Sequence, residues 1–189
     1  MASLVLSGDT SGSITVSAPA VAGSTTQTLV NVTGTLAPIV SGTAVSASST
    51  SVDFTGIPSW VKRITVMFSG VSTNGSSNFL VQIGSGSITN TGYASTSGAI
   101  SNTATAGTTG FIQTQSVSSV LSYSGAYSII LLGSNLYVGS GTLVTSSAAN
   151  NAFISGGTVT LSGALDRVRI TTVNGTDTFD AGTINLLWE

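Results

Sequence analysis

Lys62, Arg63, Arg167 and Arg169 are the only basic side chains of this 189-residue chain, and Asp9, Asp53, Asp166, Asp177, Asp180 and Glu189 are the only acidic ones. Histidine and cysteine do not occur. That removes the commonest general base, thiolate metal ligands, and the Ser-His-Asp and Cys-His constellations together. A serine nucleophile would have to use Lys62 as its base. Two residues from Trp60 at a strand entrance, that lysine reads as solvated or ion-paired. Two carboxylates can hydrolyse a glycoside, and Asp177 and Asp180 lie close together in a stretch whose hard oxygens suit calcium. Yet Asn and Asp in such a Gly-punctuated stretch bond their own backbone and shape turns. The Gly84-Ser85-Gly86 run has no following lysine and opens no helix, so it is not a phosphate cradle. The expectation is a chain with no catalytic residue, no metal site and no cofactor.

The charge balance excludes further classes. Charged residues make up 5% of the chain, against roughly 25% in an average globular protein. Ser and Thr supply about a third of the positions, and Gly another 23. Four cations cannot displace a counterion atmosphere, so nucleic acid is not an expected partner, and anionic membrane surfaces fall by the same count. No apolar run approaches the length of a bilayer span, so no membrane insertion is expected. The first residues lack a basic n-region and do not read as a signal peptide. A surface this poor in charge has a solubility problem. Burial against identical copies answers it, and an obligate oligomer is the expectation.

Five aromatic residues are candidates for receptor binding: Trp60, Tyr93, Tyr123, Tyr127 and Tyr137. Each offers an apolar ring with a polar tip, which suits a sugar face or a partner surface; the alternative for each is packing in the core or at its rim. Phe54, Phe68, Phe79, Phe111, Phe153, Phe179 and Trp188 fall on apolar faces and read as core.

The elements that position these residues are strands. Ser, Thr, Gly and Val are poor helix formers, and the β-branched residues favour a pleated surface. The fold class expected is all-β: an antiparallel β-sandwich of jelly-roll type over 51–189, preceded by a short β-rich attachment segment over 1–50. In the segment, Leu4 and Leu6 alternate with Ser3 and Ser7, and Ile14 and Val16 with Ser13, Thr15 and Ser17, which predicts a hairpin. Residues 28–32 read as a third strand and 41–50 as a linker or weak strand. In the sandwich, Ile64, Val66 and Phe68 predict a strand, and the Asn74-Gly75 pair predicts a tight hairpin returning through Phe79, Val81 and Ile83. Loops with short edge strands are expected over 84–110. Strands are expected over 111–117, 127–133 and from Leu136 toward Val144, with a turn at Gly156-Gly157. Val168 and Ile170 alternate with Arg167 and Arg169. Ile184, Leu186 and Trp188 line one side of a last strand placed inside a sheet.

The run 53–66, with Phe54-Thr55-Gly56-Ile57-Pro58 leading into Lys62-Arg63-Ile64, resembles the opening of a domain in bacteriophage and prophage tail proteins. Leu80 to Gly84, Leu165 to Thr171 and Asn174 to Asn185 are similar to later parts of the same family. Ser11 to Gly23 resembles the start of many phage virion and fibre proteins. The resemblance implies a virion component, commonly homotrimeric, and carries over no catalytic residue. The function expected is therefore a non-enzymatic trimeric tail fibre or appendage, localised to the virion. It would contact other virion proteins through residues 1–50, with host surface glycan as a candidate ligand. The alternative is a capsid decoration protein or head fibre.

Overall fold

A computed structural model describes residues 3–7, 11–17, 38–100, 103–145 and 151–189. The chain divides into two compact units, 1–36 and 37–189. In the first, β1 (Ser3–Ser7) and β2 (Ser13–Ser17) pair antiparallel, with Leu4 opposite Val16 and Leu6 opposite Ile14. The expected hairpin is present; the strand expected at 28–32 lies outside the described residues.

The second unit begins with β3 (Val40–Ser41), β4 (Val45–Ser46) and β5 (Ser51–Thr55). The long strand β6 (Arg63–Thr73) follows, then β7 (Phe79–Ser85), β8 (Ser87–Ile88), β9 (Ala94–Ala99), β10 (Ala104–Gly107) and β11 (Phe111–Ile112). The remaining strands are β12 (Tyr123–Gly133), β13 (Leu136–Thr145), β14 (Ala152–Thr160), β15 (Arg167–Thr172) and β16 (Phe179–Trp188). No helix occurs among the described residues.

All described pairings in this unit are antiparallel and build two sheets. The larger runs β10-β9-β14-β13-β12-β6-β16, with β3 and β4 both on the outer edge of β16; the smaller runs β11-β7-β15-β5, with β8 on the end of β7. Their inner faces share one core, in which Phe79 of the small sheet meets Tyr123 and Phe179 of the large one edge-on, centroids 5.1 and 5.5 Å apart. Phe111 meets Tyr127 at 5.4 Å. The protein is an all-β antiparallel sandwich, as its alternation predicts.

Three sequence expectations are corrected. The Asn74-Gly75 turn does not make a hairpin: β6 belongs to the large sheet and β7 to the small one, so the turn crosses the sandwich. Both strands carry a strongly apolar face, and facing each other across the core buries both. The Gly156-Gly157 pair is not a turn but the interior of β14. A Cβ on Gly157 would lie 2.5 Å from Ala94 O and from Ser95 Cβ, so glycine there permits the close approach of β9. Of the two readings of residues 41–50, linker or weak strand, the structure gives the second, in the short strands β3 and β4. Gly42 N donates to Leu186 O at 2.7 Å and Ala47 N to Gly182 O at 2.9 Å, which ties this stretch along β16. The boundary therefore falls after Leu36, not after Thr50.

A line of bulges crosses β16, β6 and β12. Gly182, Gly70 and Gly125 take positive φ there, and Gly182 sits so close to Gly70 that a Cβ would lie 2.5 Å from its carbonyl. Bulges aligned across neighbouring strands bend a sheet about that line.

Candidate functional site

The four tyrosines expected at a binding surface are all buried: Tyr93, Tyr123, Tyr127 and Tyr137 lie in the core. This corrects the expectation that they face a receptor. Three of the hydroxyls fasten loops to sheets, which is what lets an aromatic ring with a polar tip sit inside. Ile83 N donates to Tyr93 Oη at 2.8 Å, with Thr89 O and Ile83 O at 3.1 and 3.2 Å as acceptors for its proton. Ser118 N donates to Tyr123 Oη at 3.0 Å, and Leu165 N to Tyr137 Oη at 3.0 Å. Tyr127 Oη faces Gln113 but makes no hydrogen bond of normal geometry with it. Burial pushes the Tyr93 phenol up to about 12 and raises those of Tyr123 and Tyr127 as well. Trp60 stands apart in the turn between β5 and β6, 40% exposed, and the structure brings no second aromatic candidate out beside it.

The acids and bases resolve into pairs. Arg63 bridges Glu189. Arg167 bridges Asp166 at 2.7 Å, and Arg169 holds Asp53 through Nε and Nη2 at 2.7 and 2.6 Å. The Arg167 guanidinium, donating to it, holds the Asp166 carboxyl below its ordinary value. Asp177 is lowered likewise by Asn174 Nδ2, donating at 2.6 Å, and Ser77 N, donating at 2.8 Å. Asn174 Oδ1 in turn accepts from Thr176 N and Asp177 N, both at 3.1 Å. This is the self-bonded turn that the residue types predict. Asp180 accepts from Ser72 Oγ instead. Among the described residues no three acids gather as a metal site would need.

Two surfaces were not legible as sites in the sequence. The first is the outer face of the small sheet, where the register places Gln82, Arg169 and Asp53 in one row and Leu80, Thr171 and Ser51 in the next. Outward positions of a sheet are normally exposed, yet Leu80, Gln82 and Thr171 are buried. The connection through 86–93, the stretch 108–110 and the turn at Asn174-Gly175 rise around them and leave a groove of about 350 Å³. Its side chains are already held: Gln82 Nε2 donates to Thr109 O at 2.7 Å, Thr171 Oγ1 to Thr50 O at 2.9 Å, and Arg169 is fixed by Asp53.

The second surface is the outer face of the large sheet. Strands β9, β10, β12, β13 and β14 contain no charged residue. Cross-strand rows on this face read Met67, Ala126, Thr142, Ile154, Gly98 and, beside them, Thr65, Ser128, Ser140, Gly156, Thr96. Ile130, Val138, Val144 and Ile154 are exposed on it, Ile154 to 60%. The charges of the strands lie outside these five: Asp53, Arg167 and Arg169 on the small sheet, and Arg63 and Asp180 at opposite ends of the β6–β16 pair, Arg63 opposite Ile130 at the border of this face. No family model, no curated protein and no solved structure matches this chain.

Proposed function

We propose that this protein is a non-enzymatic structural subunit of a bacteriophage particle, a homotrimeric tail fibre or similar appendage. Residues 1–36 engage other virion proteins, and the sandwich forms the outer knob. The observation that carries the reading is the segregation of charge. Across β9, β10, β12, β13 and β14 the outer face of the large sheet is aliphatic and hydroxyl-bearing without an ion, with Arg63 at its β6 border, while the opposite face holds two arginines and their carboxylates. Water solvates the second face well and the first poorly, so the first is the one that gains by being covered. Five neighbouring strands about 4.8 Å apart and about eight residues long give it roughly 630 Å². Two such faces together bury about 1,260 Å², at the low end of the ~1,200–2,000 Å² of a standard interface. A second copy is the fitting occupant, because an uncharged face meets an uncharged surface without desolvating an ion. The phage assignment itself rests on the likeness of residues 53–66 and 165–185 to tail proteins.

Native mass spectrometry of the full chain tests the assembly, and proteomics of separated heads and tails tests the location. A trimer found with tails is expected. A monomer at micromolar concentration sinks the assembly reading, and copies confined to heads transfer the protein to the decoration role.

A further inference from the structure

We infer that the groove on the small sheet is a binding site for a neutral saccharide. The inference stands apart from the assembly reading, since the groove lies on the opposite face from the one proposed to be covered. A polyhydroxyl ligand needs donors and acceptors fixed side by side, and a site whose side chains are already ordered loses little entropy on binding. Arg169 presents a guanidinium whose Nε and Nη2 are locked by Asp53. Its Nη1 has no partner among the described residues and remains a donor. Gln82 is more than nine-tenths buried with its Nε2 committed to Thr109 O, and its Oε1 accepts no hydrogen bond among the described residues. It is an acceptor beside that donor, one strand away in the same row. Asn90 adds an amide from the wall, and Val173, 53% exposed, supplies an apolar surface for the C–H face of a ring.

Charge and size set the ligand class. Both Asp53 oxygens are engaged with Arg169, so the site carries a paired cation and no surplus positive charge to hold a phosphate or a sialic acid. A volume of about 350 Å³ lies at the small end of ligand sites, which run from about 300 to 1,000 Å³. It suits one or two sugar rings rather than a long chain. The walls come from Asn90, Thr109 and residues 173–175, so the ligand would read loops and not the sheet alone.

The test is retention of the labelled full-length protein on an array carrying neutral and sialylated glycans, followed by titration of the retained sugar. The expected result is retention of neutral glycans, weakened about ten-fold or more by Arg169→Ala and by Asn90→Ala. Val120→Ser, at an exposed residue that does not line the groove, should leave retention unchanged. Retention of acidic glycans only, no retention at all, or retention untouched by both groove variants would each overturn the proposal. Asn90→Ala changes a loop residue and keeps the test decisive if Arg169→Ala disturbs the sheet. The oligomeric state of the same samples, read by native mass spectrometry, separates a failure here from a failure of the assembly reading.

Discussion

At the scale of single residues, the tyrosines distinguish what a sequence can and cannot disclose. Tyr93 and Tyr123 sit among Gly and Ser, a setting that reads as exposed loop. Their burial depends on backbone groups meeting the hydroxyls, nearby in sequence for Tyr93 (Ile83, Thr89) and Tyr123 (Ser118) and brought from afar by the fold for Tyr137 (Leu165). Phe79, Phe111, Phe153 and Phe179 were legible as core because a phenyl ring has no polar tip to place. The same distinction yields a stability comparison. Tyr93→Phe strands Ile83 N–H in the core and should cost about 1–3 kcal/mol. Tyr127→Phe removes a hydroxyl with no well-formed partner and should cost less, as paired urea denaturation curves would show. Buried phenols also fix the alkaline limit. With the Tyr93 pKa raised from 10 to about 12, the folded state binds the proton more tightly than the unfolded one. The stability from this group is complete below pH 10 and is lost as pH climbs toward 12. Tyrosinate absorbance and circular dichroism recorded together should change in one transition within that window. Asp166 and Asp177 act in the opposite sense. Their lowered values contribute stability above about pH 3.8 that fades in stronger acid, by a small amount because both carboxylates face water.

At the scale of elements, alternation revealed most strands but not their partners. The apolar face of β6 and that of β7 look alike whether the two strands lie side by side or face each other, so the pattern reports burial and leaves the sheet unspecified. Glycines misled in a similar way: Gly156-Gly157 has the composition of a turn, and only the approach of β9 shows why the pair belongs inside a strand. Two neighbouring substitutions should therefore behave unequally. Gly157→Ala forces a methyl against Ser95 and the Ala94 carbonyl and should destabilise by about 1–3 kcal/mol. Gly156→Ala meets its nearest atom, Gly139 O, at an ordinary 3.5 Å and should stay within about 0.5 kcal/mol of the parent. The stretch 38–49 gives a second contrast. The chains to compare lack residues 1–36 and residues 1–50, and the quantity compared is the melting temperature of the sandwich. Deleting residues 1–50 uncovers the edge of β16, with its Leu186 and Gly182 carbonyls unpaired, and should lower that temperature measurably by scanning calorimetry.

At the scale of the whole molecule, the low charge was plain in the sequence, but its distribution was not, because the face a side chain occupies depends on strand order. Placing an ion on the bare face tests the assembly directly. Ile154 is exposed, so Ile154→Lys should leave the fold intact while separating the copies, seen as a loss of mass in analytical ultracentrifugation with an unaltered circular dichroism spectrum. The order of the strands carries a last consequence. Trp188 lies opposite Ile64, and Arg169 opposite Asp53. β16 flanks β6 in one layer and β15 sits between β7 and β5 in the other. Both leave the ribosome after every other strand described, so neither layer can finish while they are still in the exit tunnel. Each layer therefore closes through contacts between strands far apart in the sequence, and stopped-flow refolding should proceed on the millisecond-to-second scale of long-range β topologies.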